Sequence, residues 1–278
     1  FTDTMVVASV QTKFTSDSVL VPPILLISIP RDIYLDSLQG KINTAYQLGL
    51  DQNVGLVLAK QAASTVTGLP IHYALVADFS VFEKVINTLG GIDITVPDVL
   101  DDYMYPIDGQ ETNSCGLSSV PLVTDELLAV KTFPCRYEHL HFDAGLQHMD
   151  GATALKYVRS RHAEGSEGSD FARSRRQQLV IKAIKDKVFS GSTFLDLTKD
   201  LELYNQIKTS ISTDLDFSQP KALLALGLKY RAATFKNIVL DETFFVNPPM
   251  DDRGWILLPN NNWDQIHQLI ATSSGSPR

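Results

Sequence analysis

The sequence is short of the features that most often announce a function. It has two cysteines, too few for a disulfide-rich framework and too few to complete a zinc shell with thiolates alone. No run of about 20 apolar residues is present, so no segment of this sequence reads as a membrane-spanning helix. GxSxG, HExxH and Walker-type phosphate loops are missing, and the six histidines are scattered. Gly90-Gly91 reads as a helix end and turn, because it lacks the spacing of either nucleotide fingerprint. Positive charge is the minority, with 24 Lys and Arg against 32 Asp and Glu and a formal net charge of -8. Binding to a nucleic-acid backbone wants a basic field, so this balance argues against that class of partner.

What is present is a local reversal of that charge. Residues 150–188, DGATALKYVRSRHAEGSEGSDFARSRRQQLVIKAIKDKV, hold five of the ten arginines: Arg159, Arg161, Arg173, Arg175 and Arg176. Asp150 suits the N-cap of a first helix running through Val158, the Gly/Ser/Glu loop 163–169 breaks it, and Asp170 suits the cap of a second helix. At about 100° per residue, Asp170, Arg173, Arg176 and Gln177 share one face. Val180, Ala183, Ile184 and Val188 continue that stripe, and an apolar stripe of this period normally faces the core. Arg175 falls elsewhere and reads as solvated.

Two guanidinium groups are thus aimed inward. An unpaired buried charge is costly, and arginine cannot escape by losing its proton. Asp170 can neutralise one arginine, while Arg159 and Arg161 arrive from the end of the first helix. The surplus points to a pocket for an anionic ligand, and phosphate matches the guanidinium fork. The alternative is that Glu164, Glu167 and Asp170 tie the arginines into internal ion pairs. His162, beside Arg161, either orients phosphate or caps the loop. His139 and His141 alternate on a possible strand and read as packing or polar edge residues, with ligation as the other reading.

The remaining chain reads as alternating strands and helices. TMVVASV (4–10) and ILLISI (24–29) are β-branched apolar runs, hence buried strands. Arg31 and Asp32 sit just past the C-terminal end of the second, the edge at which open α/β sheets bind ligands; a plain turn is the bland alternative. A helix over 51–66, a strand over 71–79, a helix over 80–91 and a strand over 92–97 follow. Beyond the arginine-rich pair come helices near 193–206 and 218–229, a strand over 234–240, and a tail of strand, asparagine-rich turn and helix. This order predicts an α/β/α sandwich, a central mixed β-sheet flanked by helices, in a single domain over 1–278. Residues 101–138 stand out as a loop-rich insertion that holds both cysteines. Cys115 and Cys135 would close a loop of roughly 20 residues, and a disulfide there would contribute about 3 kcal/mol in the chain-entropy model. Two free thiols in a reducing compartment is the alternative.

Four segments in order, FTDTMVVASV, SIPRDIYLDSLQGKINTAYQLG, HYALVADFSVFEKVINTLGGIDITVP, and LQHMDGATALKYVRSRH with DFARSRRQQLVI, resemble the LytR-CpsA-Psr family over nearly the whole chain. That resemblance implies an extracytoplasmic domain, at the outer face of the cell membrane or in the cell wall, tethered by an N-terminal transmembrane helix. It further implies transfer of a glycopolymer from a polyprenyl-pyrophosphate carrier to peptidoglycan. Matched to this sequence, Arg31, Arg159, Arg161, Arg173, Arg176 and Gln177 take the phosphate-binding positions. Asp3 takes a Mg²⁺ position, and Asp32 and Asp170 the other acidic ones. The family's second magnesium aspartate falls about a dozen residues before the position of Asp3, so an N-terminal truncation is expected. Because breaking a pyrophosphate releases a phosphate anion, Arg31, Arg159, Arg161, Arg173 and Arg176 read as a charge clamp, with Mg²⁺ at Asp3. Asp32 or Asp170 would accept the acceptor's proton or simply orient arginines. Apolar residues from 71–89 and 179–190 would line a groove for the prenyl tail or belong to the ordinary core. A binding module without transfer and a lipid pyrophosphatase are the competing functions.

Overall fold

The computed structural model describes residues 2–11, 21–190, 211–216 and 220–274, with no side-chain description for 220–224; the helix expected near 193–206 lies outside them. The chain falls into two compact units, Phe1–Val85 with Val188–Arg278, and Ile86–Lys187. In chain order the first unit begins with β1 (Val6–Ser9), β2 (Ile24–Ser28), β3 (Tyr34–Leu35), β4 (Gly40–Lys41), α1 (Ala45–Leu48), α2 (Gly55–Thr67), β5 (Leu75–Ala77) and most of α3 (Phe79–Thr88). The second unit holds β6 (Ile92–Val96), β7 (Leu100–Pro106), α4 (Glu126–Thr132), β8 (Tyr137–Phe142), β9 (Gly145–Met149), α5 (Gly151–Arg159) and α6 (Asp170–Val188). The chain then returns to the first unit with β10 (Ile211–Thr213), α7 (Pro220–Tyr230), β11 (Phe235–Val239), β12 (Phe245–Val246), β13 (Leu258–Pro259) and α8 (Asp264–Ser274).

In the first unit β2 is central. β1 pairs with it antiparallel and β11 parallel, so the sheet is mixed, as the alternating order of elements predicts. The uninterrupted apolar run of β2 follows from this position, because Leu25 and Ile27 on one face and Leu26 and Ser28 on the other are all buried. Ala62 and Val66 of α2 and Ile266 and Ile270 of α8 join Leu25, Ile27 and Ile238 in one core. Among the described residues no helix is long and apolar enough to cross a membrane.

The strand expected over 71–79 contracts to Leu75–Ala77, paired with the three residues of β10. Its end is set by Asp78, whose carboxylate accepts from Val81 N at 2.9 Å and Ser80 Oγ at 2.8 Å and so turns the chain into α3.

The second unit is built on two antiparallel pairs, β6–β9 and β7–β8. In β6 the alternation is strict, with Ile92, Ile94 and Val96 buried and Asp93 and Thr95 exposed. The segment between β7 and β8 contains α4 and is closed by a Cys115–Cys135 disulfide, which settles that pairing. Asp150 caps α5 as its sequence position predicts, accepting from Thr153 N at 2.8 Å. The cap of α6 differs from the expectation: Ser169 Oγ accepts from Ala172 N at 3.0 Å, and Asp170 is the first helical residue. A carboxylate in the first helical turn is still favourably placed toward the positive end of the helix dipole.

Candidate phosphate-binding site

The residues singled out by the sequence fall into two groups, one in each unit. In the second unit α5 ends at Arg159, the chain turns through the 3-10 stretch Gly165–Gly168, and α6 presents its first two turns. Gly168 is required by close approach, since a Cβ there would lie 2.1 Å from the carbonyl oxygen of Ala163. That tight loop delivers Glu167 to Arg176.

Arg176 is 1% exposed and is held on interior acceptors. Its Nε donates to Tyr157 O at 3.0 Å, Nη1 to Glu167 O at 2.9 Å and Glu167 Oε2 at 2.7 Å, and Nη2 to the carbonyl of Ser160. Burial lowers its pKa from the usual arginine value, and the Glu167 carboxylate opposes that shift. One guanidinium thus ties the end of α5, the loop and α6 together. Burial also pushes the neighbouring Tyr157 phenol up to about 12.

Asp102, on β7, supplies a second buried carboxylate beneath this loop. It accepts from Ser160 Oγ at 2.7 Å, Met104 N at 2.9 Å and His162 N at 3.3 Å.

Outside this pinned core the arginines are differently placed. Arg161 Nε lies 3.2 Å and Arg173 Nη2 3.3 Å from the same oxygen of Asp170, so one half-exposed carboxylate serves two guanidinium groups. Arg173 is 7% exposed and Gln177, one turn on, is buried beside it on the helix face. Arg159 forks onto Asp108, with contacts of 2.8 and 3.1 Å. Asp108 is 71% exposed, and an ion pair that wet contributes about 1 kcal/mol or less. Arg175 is exposed, as its angular position predicts. The imidazole of His162 turns toward Glu126 of α4, 3.7 Å away, and Glu164 is exposed with its backbone N–H on Asp101 O.

In the first unit Arg31 follows β2. Its Nη1 donates to Asp3 Oδ1 at 2.7 Å, and its Nε lies 3.5 Å from Asp32 Oδ2, buried and without a hydrogen-bond partner among the described residues. Lys41 Nζ donates to the other oxygen of Asp32 at 2.7 Å. Asp3 borders an open cleft of about 470 Å³ whose walls include Asn43, Tyr46, Val76, Asp78 and Phe79. Asn43 Oδ1 is buried and unpartnered among the described residues. A half-exposed carboxylate and an unpartnered amide oxygen on one cleft suit a hard cation such as Mg²⁺, which takes oxygen ligands and commonly shares them with phosphate.

Sequence reasoning found the arginines and offered Glu167 as an ion-pair partner, which it is for Arg176, but missed Asp102, Asp108 and Lys41. Asp102 and Asp108 are separated from Ser160 and Arg159 by 58 and 51 residues, and no local pattern marks such pairs.

The fold is mixed α/β, and it sets arginine side chains beside half-exposed and exposed carboxylates. The chain belongs to the LytR_cpsA_psr family, which it matches over residues 1–254. The polyisoprenyl-teichoic acid–peptidoglycan teichoic acid transferase TagV of Bacillus subtilis (strain 168) is 26% identical over 220 residues, covering 77% of this chain and 46% of that protein. Regulatory protein MsrR of Staphylococcus aureus (strain COL) is 29% identical over 180 residues, covering 63% and 42%. The chain spans about half the length of the curated relatives it matches. The crystal structure of B. subtilis TagV shares the fold with a TM-score of 0.60 at 21% identity, covering 92% of this chain and 85% of that one. The crystal structure of B. subtilis TagU does so with a TM-score of 0.60 at 19% identity, covering 99% and 93%.

Proposed function

We propose that this chain transfers a glycopolymer from a polyprenyl-pyrophosphate carrier to a hydroxyl of peptidoglycan. The observation that carries the reading is the convergence of Arg161 and Arg173 on one oxygen of Asp170, which gathers two guanidinium groups at a half-exposed carboxylate. Membership in the family and the names of the related transferases support the chemistry. The acceptor hydroxyl's oxygen attacks the phosphorus that bears the glycan, the bond from that phosphorus to the bridging oxygen breaks, the lipid leaves as a monophosphate, and the proton lost by the hydroxyl ends on that phosphate or in solvent. Negative charge grows on the bridging oxygen as that bond breaks, and preorganised guanidinium groups stabilise it.

Arg31, Arg159, Arg161 and Arg173 are assigned to phosphate binding. Arg176 holds the framework of the second unit's Arg159, Arg161 and Arg173, and Gln177 lies beside Arg173. Asp32 and Asp170 are each contacted by cationic side chains, which supports positioning roles for them. Asp3, with Asn43, is assigned to Mg²⁺, which when bound would neutralise phosphate charge. The apolar wall of the cleft, Tyr46, Val76 and Phe79, is the candidate seat for the start of the prenyl chain. The donor is a lipid and the acceptor is cell wall, so we place the reaction at the extracytoplasmic face of the membrane; the disulfide fits an oxidising compartment.

The test is a transfer assay with a lipid-pyrophosphate-linked glycan, peptidoglycan and Mg²⁺. Glycan bound covalently to peptidoglycan, lost in Arg31→Ala and in Arg173→Ala, supports the reading. Lipid monophosphate and glycan phosphate formed without a conjugate identify a pyrophosphatase, and tight donor binding with neither product identifies a binding module.

A further inference from the structure

A second cluster of ligating groups lies on the outer face of the β7–β8 pair. β8 alternates, with Leu140 and Phe142 buried and His139 and His141 exposed, so both imidazoles emerge on one side. Asp101 of β7 is the direct cross-strand partner of His141. His139 Nε2 and His141 Nδ1 converge on the same oxygen, Asp101 Oδ1, at 2.9 and 2.7 Å, and among the described residues this is the one trio of His, Cys, Asp or Glu whose ligand atoms all lie within 4.8 Å of one another.

We propose that Asp101, His139 and His141 bind a divalent transition metal of the zinc class. Two imidazole nitrogens and one carboxylate oxygen favour Zn²⁺ or Co²⁺ over Mg²⁺, which prefers oxygen ligands. Tetrahedral ligands at zinc distances stand about 3.3 Å apart, and the three ligand atoms here already lie within 4.8 Å of one another, with each imidazole nitrogen within a few tenths of an ångström of that spacing from Asp101. The surroundings already hold the rings in place. Asp143 Oδ1 lies 3.2 Å from His141 Nε2 and would accept a hydrogen bond from its N–H once Nδ1 binds metal, the usual outer support of a ligating histidine. His139 is stacked on Tyr103, with centroids 4.0 Å apart and planes 2° from parallel.

The fourth position faces solvent, because each histidine side chain is 44% exposed. Asp101 precedes and the histidines follow the segment that carries the disulfide, so a bound ion would clamp the neck of that segment. None of these residues belongs to the phosphate-binding groups.

The test is a Zn²⁺ titration by calorimetry, and a Co²⁺ titration by visible absorption, of the full chain without an affinity tag. Expected are one ion per chain, a Co²⁺ spectrum of four- or five-coordinate type, and loss of both in the His139→Ala/His141→Ala variant. Asp143→Asn leaves all three ligands in place and is expected to weaken binding about tenfold, which keeps the proposal testable if the double variant does not fold. Absence of saturable binding, or a spectrum and affinity unchanged in the double variant and in Asp143→Asn, overturns the site.

Discussion

Arg173 and Arg176 sit three residues apart on one helical face and do different work. Both are buried, as the helical stripe predicts, but Arg176 is enclosed by Glu167 and three backbone carbonyls while Arg173 shares a half-exposed carboxylate. The helical period shows which way a side chain points; it cannot show which acceptor lies at the end, because the carbonyl of Tyr157 is set by the end of α5. The contrast gives a direct expectation. Arg176→Ala leaves the buried Glu167 without its partner and should destabilise the protein by about 3–5 kcal/mol in a urea unfolding curve. Arg173→Ala should cost far less stability but abolish donor binding. If both variants lose stability equally, the division of roles is wrong. Gly168→Ala should behave like a weaker Arg176→Ala, because any added Cβ must push the loop off Ala163 and carry Glu167 with it.

Helix ends show both how legible the elements were and where legibility stopped. Asp150 precedes an apolar periodic run with no competing cap, and the sequence position and the structure agree. At α6 the sequence reading put the cap at Asp170, but Ser169 just before it is as good a cap by propensity; Ser169 takes the cap while Asp170 lies beside two arginines. Ser169→Ala should therefore cost about 1 kcal/mol of stability with donor affinity kept, whereas Asp170→Asn should alter donor affinity with a smaller stability change.

The Asp150 cap carries a pH signature. Hydrogen bonds from Thr153, side chain and then backbone, hold the Asp150 carboxyl below its ordinary 3.8. A depressed folded pKa means that the cap contributes fully above the unfolded value and is lost as pH falls through the lower, folded one. The stability difference between the protein and Asp150→Asn should accordingly be constant near neutrality and change only below about pH 4 in thermal unfolding followed across acid pH.

For the molecule as a whole, composition and the order of elements were enough to reach a mixed α/β fold, since β2 is apolar on both faces and the alternating strands that follow leave few other arrangements. The two-unit grouping was not legible: the second unit is inserted between residues 85 and 188 with no Gly/Pro-rich linker at either crossing. The disulfide was legible because only two cysteines exist to pair. It closes a 20-residue separation, and in the chain-entropy model reducing it should lower stability by about 3 kcal/mol, read as a shift of the unfolding midpoint with dithiothreitol.

The central claim is that phosphate leaves the lipid together with the glycan. Mass spectrometry of muramidase-digested product, after reaction with a donor labelled in the phosphate nearer the glycan, tests it most directly. The expected product is a muropeptide joined to glycan through one labelled phosphate, with lipid monophosphate left unlabelled. Label remaining on the lipid, or a muropeptide joined to glycan with no phosphorus, would contradict the mechanism.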